Sequence, residues 1–123
     1  MSNMEVVGTF KPDCLIAGTE VEVLTAGVLL ASGQGILKRG AVIGIITTGG
    51  KGKLCNSASS DGSQVAKFVL SHEVDTNGAD KMSVCFKTGQ FDRASLLFGG
   101  TDTAEMHEAE LRDVGIHLVD KLY

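Results

Sequence analysis

Three stretches of the sequence carry residue types that could do chemistry. Gly44-Ile45-Ile46-Thr47-Thr48-Gly49-Gly50-Lys51 has the glycines of a phosphate-binding loop. Its spacing fails, because Gly50 stands where the lysine is needed and no Ser or Thr follows Lys51 to reach magnesium. The stretch reads as a glycine turn. His107-Glu108 begins like the helix of a zinc protease, which needs a second histidine one turn on to face the same metal. Leu111 holds that place, so His107 reads as a helix residue at a packing or subunit boundary. Asp75-Thr76-Asn77-Gly78 opens like a calcium loop, but its glycine comes early and the twelfth position is Phe86 rather than a bidentate glutamate.

Nucleophilic chemistry has equally little support. Cys14, Cys55 and Cys85 are odd in number and widely spaced, with no Cys-x-x-Cys pair to hold zinc or run redox exchange. They read as thiols in a reducing cytoplasm. None sits in a nucleophile elbow or at a helix start that would lower its pKa. His72, on an otherwise apolar stretch, is the best-placed general base for a Cys or Ser nucleophile, and a hydrogen-bonded strand-end histidine accounts for it as well. Ser57, Ser59, Ser60 and Ser63 read as loop polarity. No catalytic residue, cofactor site or metal site is assigned.

The elements that would position these residues are mostly strands. Residues 20–24 alternate Glu20 and Glu22 with Val21 and Val23, the pattern of a half-buried strand. Val28 to Ala31 is a short apolar run. Ala41-Val42-Ile43-Gly44-Ile45-Ile46 is apolar throughout and rich in β-branched residues, which predicts a strand buried on both faces. Gly49-Gly50-Lys51-Gly52-Lys53 reads as a turn or loop, and residues 56–63 as a polar loop. Ala66, Phe68, Leu70 and Val74 form one apolar face. Met82, Val84 and Phe86 alternate with Ser83, Cys85 and Lys87, and an Asn77-Gly78 turn joins the two runs as a hairpin. One helix is predicted over residues 103–114, capped by Asp102 with Glu105 three residues on, and stopped by Gly115. Ala104, His107, Leu111 and Val114 share its apolar side. A last strand follows, with Ile116 and Leu118 on one face. The fold class is therefore mainly β with one short C-terminal helix.

Composition narrows the function. The chain has 123 residues, 43% hydrophobic and 21% charged, with 16 Gly and one Pro. That is a globular composition with many tight turns, the size of one domain. The net charge of −4 lacks the basic face that phosphate backbones demand, and five Phe, one Tyr and no Trp make a poor stacking platform. No run approaches the ~20 apolar residues of a membrane helix, and the start lacks the basic and apolar regions of a signal peptide. The expectation is a soluble protein made in a cytoplasm, with no nucleic-acid or membrane partner. Residues 1–19 contain Pro12 and have no period, so they read as an extended arm ahead of a single domain over residues 20–123. Val6, Val7, Phe10, Leu15 and Ile16 in that arm want a partner surface, either their own domain or another chain joined by edge pairing.

The order of segments resembles the head decoration protein D family of tailed bacteriophages. The residues that carry the likeness are Leu37-Lys38-Arg39-Gly40-Ala41-Val42-Ile43-Gly44, then Ser60-Asp61-Gly62-Ser63-Gln64-Val65-Ala66 with Phe68-Val69-Leu70. Gly89-Gln90-Phe91-Asp92-Arg93-Ala94-Ser95-Leu96 follows, and Leu111-Arg112-Asp113-Val114-Gly115-Ile116-His117-Leu118 is last. Each segment alone is a turn and a strand; their order and spacing over residues 25–119 are specific together.

The resemblance implies a small β-clip-like domain that assembles as a homotrimer. It implies binding at local threefold positions on the outer surface of an expanded head, where the trimer clamps neighbouring copies of the major capsid protein. It also implies an arm that orders on the capsid and pairs with strands there. The site expectations are capsid contacts at Val6, Val7, Phe10, Leu15 and Ile16, and trimer contacts at Phe91, Leu97, Phe98 and Leu111. The virion, assembled from protein made in the host bacterial cytoplasm, is the expected location, with no small-molecule substrate. Two other classes stay open: a sugar- or peptide-binding β module on a virion or cell surface, and a small hydrolase using Cys or Ser with His72.

Overall fold

A single long strand organises the protein. In the computed structural model, which describes residues 16–18 and 23–119, β8 (Lys81–Asp92) runs for 12 residues and pairs along both edges. Its first half pairs antiparallel with β2 (Leu24–Leu30), Leu30 opposite Lys81 and Thr25 opposite Phe86. On the other edge, β6 (Phe68–Leu70) places Val69 opposite Phe86 and Leu70 opposite Cys85. β4 (Val42–Ile45) lies between β6 and β5 (Gly52–Leu54), antiparallel to both. β5 meets β2 in parallel at Leu30 and Gly52. The path β8-β2-β5-β4-β6 thus returns to β8 and closes a five-stranded barrel. Closure leaves fewer free strand edges to be protected.

The second half of β8 leaves the barrel and enters another sheet. There β1 (Ile16–Gly18) pairs antiparallel on one side, Ile16 opposite Phe91. β9 (Ile116–Val119) pairs in parallel on the other, Gly89 opposite Ile116 and Phe91 opposite Leu118. A two-stranded ribbon of β3 (Ile36–Leu37) and β7 (Val74–Asp75) stands outside the barrel. The α-helix among the described residues, α1 (Ala104–Asp113), joins a 3₁₀ turn at Arg93–Ser95 to β9 through a loop. The fold is mainly β with one short C-terminal helix.

Two apolar clusters meet back to back through the barrel wall. Val28, Leu30, Leu37, Ala41, Ile43, Leu70 and Cys85 form one. Val42, Val69, Phe86 and Phe91 join Leu96, Ala104, Leu111, Ile116 and Leu118 in the other, under α1 and β9. Val42 and Ile43 are adjacent, buried, and belong to different clusters, as expected of a strand covered on both faces. Gly44 follows because a Cβ there would run into the backbone of Ser63.

Several expectations need correction. The segment 49–53 is not only a loop: it turns through Gly49 and Gly50, with Ile46 N–H donating to Lys51 O at 2.8 Å, and then enters β5. The two runs either side of Asn77-Gly78 do not form one continuous hairpin. β6 pairs with β8, but β7 leaves to pair with β3. On β8 the buried face is inverted. Ser83 and Cys85 are buried, while Met82 is 69% and Val84 46% exposed. Ser83 settles inside by donating its hydroxyl to Val28 O at 2.8 Å. Phe86, on the outer face with Val84, is buried because Phe91 packs on it at 5.4 Å and Arg39 covers its ring at 5.6 Å. Cover from the rest of the fold, not alternation, decides which side of this strand is dry.

Candidate functional site

The helix brings the most concentrated chemistry together. Ala104, His107 and Leu111 are the buried positions of α1, at the three- and four-residue spacing of one helical face. The helix begins at Thr103, which makes no side-chain cap bond, so the expected capping box of Asp102 and Glu105 does not form. Asp102 is engaged elsewhere. One of its oxygens accepts from Ser57 N–H at 2.6 Å, and the other from Ser57 Oγ at 2.7 Å. The first also lies 2.6 Å from His107 Nε2.

His107 is 2% exposed, and both its ring nitrogens face carboxylates. Glu110 Oε1 lies 2.7 Å from Nδ1 and also accepts from Ala66 N–H at 2.8 Å. Phe98 stacks on the imidazole at 5.2 Å with 13° between the planes. Cys55 Sγ is 3.6 Å from Nδ1 and 3.8 Å from Nε2. Burial opposes charge on the imidazole, but the hydrogen bonds to Asp102 and Glu110 outweigh it and raise the pKa above the ordinary value. The same contact with His107 lowers the Asp102 pKa. Burial first, then the Glu110 and Asp102 charges, push the Cys55 thiol up to about 12. This thiol is therefore protonated at neutral pH and a poor nucleophile.

The ligand atoms of Cys55, His107 and Glu110 all lie within 4.8 Å of one another. Sequence spacing pointed away from this cluster, because the zinc-protease pattern needs a second histidine at position 111, which is Leu111. The partners come instead from positions 102 and 110 and from Cys55 in another part of the chain. The visible signal was the His107-x-x-Glu110 pair, which shares a helix face.

The other distinctive feature is apolar surface. Leu24, Ile36, Val65, Met82, Val84, Leu97 and Met106 are exposed. His72 is exposed too, and the described residues set neither Cys55 nor Cys85 against it. The family model for bacteriophage lambda head decoration protein D matches residues 6–117.

The chain belongs to that family. The match begins closer to the amino terminus than the segments in which the resemblance is read, so it takes in most of residues 1–19. No curated protein matches the chain. Membership makes this a structural protein of the phage head.

The structure distributes the expected decoration-protein contacts unevenly. Leu97 is 43% exposed, and Phe98 is half-buried against His107. Phe91 and Leu111 are fully buried in the core of the chain itself. Ile16 lies in β1, its backbone opposite Phe91. Val6, Val7, Phe10 and Leu15 lie outside the described residues.

Proposed function

We propose that this protein binds the outer surface of an expanded phage head as a homotrimer at local threefold positions, and stabilises the shell by bridging copies of the major capsid protein. The family match over residues 6–117 carries this reading. The chemistry of the chain supports it. The Cys55 thiol and the His107 ring are buried and both ring nitrogens are engaged by carboxylates, so neither is presented to a substrate, and the net charge of −4 suits an outer surface that does not touch DNA. The protein acts by binding and transforms nothing.

The mechanism follows from repetition. One modest contact does little against internal pressure, but a trimer presents three, and linked contacts give an avidity far above that of one. Residues 1–19, with Val6, Val7, Phe10, Leu15 and Ile16, supply the capsid-binding arm. An arm that orders on binding gives up some affinity to ordering entropy, and that cost favours the one shell state which offers the matching edge. Leu97 and Phe98 supply trimer contacts. Synthesis in the host cytoplasm precedes assembly onto the virion.

The deciding experiment mixes purified protein with cognate heads. Saturable co-sedimentation with expanded heads, absent with unexpanded ones, is the expected result, together with a light-scattering mass of three protomers. A monomeric protein that ignores expanded heads overturns the proposal.

A further inference from the structure

The cluster beneath α1 has a use that head decoration does not call on. We propose that Cys55, His107 and Glu110 form a binding site for a divalent transition metal, zinc foremost, with Asp102 as the positioning group behind the histidine.

The donor set suits such an ion. A thiolate, an imidazole and a carboxylate make a borderline-soft set that favours zinc over magnesium or calcium. Tetrahedral zinc, with a Zn–S bond of about 2.3 Å and a Zn–N bond of about 2.0–2.1 Å, holds its sulfur and nitrogen ligands about 3.6 Å apart. Cys55 Sγ is 3.6 Å from His107 Nδ1 and 3.8 Å from Nε2, so it lies against the ring, and the thiol must turn towards the Nδ1 lone pair to share an ion with it. The remaining ring nitrogen, Nε2, is 2.6 Å from Asp102 Oδ2. A carboxylate on the far side of a ligating histidine fixes the ring's tautomer and orientation. Asp102 is itself held by both donors of Ser57, so it is a prepared partner.

Glu110 must adjust. Its Oε1 lies 2.7 Å from Nδ1, a hydrogen-bonding distance shorter than the separation of two ligands on one ion. Its side chain is the most exposed of the three, at 33%, so it has room to swing outward and leaves a water-accessible fourth position. The proton balance is simple. The ion displaces the thiol proton of Cys55 and the proton shared between Nδ1 and Glu110, and both pass to solvent. The helix and the segment after β5 would then be tied at one point.

The test uses the full chain, stripped with a chelator and titrated with zinc and with cobalt(II). A thiolate-to-cobalt charge-transfer band saturating at one equivalent, and a thermal midpoint that rises with zinc concentration, are expected. Cys55→Ser abolishes the band, and Glu110→Gln weakens zinc binding by at least about 10-fold. His72→Asn and His117→Asn change neither readout. A titration with no band and no thermal shift overturns the proposal, as does a band that survives Cys55→Ser. X-ray absorption at the zinc edge of the unaltered protein guards against a variant that fails to fold. One sulfur in the first shell supports the site, and a shell of nitrogen and oxygen alone rejects it.

Discussion

His107 Nε2 lies 2.6 Å from Asp102 Oδ2, five residues away, and both side chains are almost fully buried. The pair fastens the first turns of α1 to the loop ahead of it, and through Ser57 to the segment after β5. Asp102→Asn leaves the shape but replaces an acceptor-only group with an amide that cannot accept from every present partner. Loss of charge-assisted bonds of this kind costs about 1.5–3 kcal/mol. A lower urea midpoint with an unchanged slope is the expected result.

Gly44 and Ser63 touch backbone to side-chain position. Gly44→Ala forces a methyl group into the Ser63 backbone, which cannot move without disturbing β4. Overpacking of this sort costs about 1–3 kcal/mol. Thermal unfolding of the variant shows it, and an unchanged midpoint contradicts the close approach.

Leu97 and Leu111 separate surface from core. Leu111→Ala empties a fully buried site and costs about 2–5 kcal/mol of protomer stability. Leu97→Asp, at a half-exposed position, keeps the protomer folded and shifts the trimer towards monomer. Light scattering beside circular dichroism distinguishes the two effects.

Asp61 responds to acid. Its side chain accepts from the hydroxyl and the backbone N–H of Ser63 and pairs with Lys53, and these bonds bring its pKa down to about 2. The folded value lies below the unfolded one. The contribution to stability is therefore complete above the ordinary carboxylate range and fades as pH falls towards 2. Carboxyl carbon shifts followed by NMR between pH 5 and pH 1, a window of about that width, give the midpoint. Ser63→Ala moves it upward.

Deleting residues 1–15 leaves β1, the barrel and α1 in place. The expected product is a folded trimer that no longer co-sediments with expanded heads. A truncated protein that still saturates the heads removes the arm from the mechanism.

The sequence exposed those parts of the fold where one local rule governs. The β-branched run ending at Ile46 announced a doubly covered strand, and Ile116 and Leu118 alternate inward in β9 as expected. The helix was legible from Ala104, His107 and Leu111, and Gly115, at φ 97°, ends it as a left-handed stop. What escaped depends on distant cover. Met82 and Val84 look like core until the fold shows that the cover on this face, from Phe91 and Arg39, falls on Phe86. β5 hides in a glycine-rich stretch because its partners are supplied by β2 and β4. Asp102 was read as a cap because the competing donors, Ser57 and His107, converge only in three dimensions.

β8 belongs to two sheets at once, and this makes it a route for force. Tension on the chain ahead of Ile16 enters at Phe91 and travels along the strand into the wall shared with β2 and β6. A pull applied there is thereby spread across ladders of hydrogen bonds pulled side against side, so the molecule resists tugging best along the direction in which its own longest strand lies.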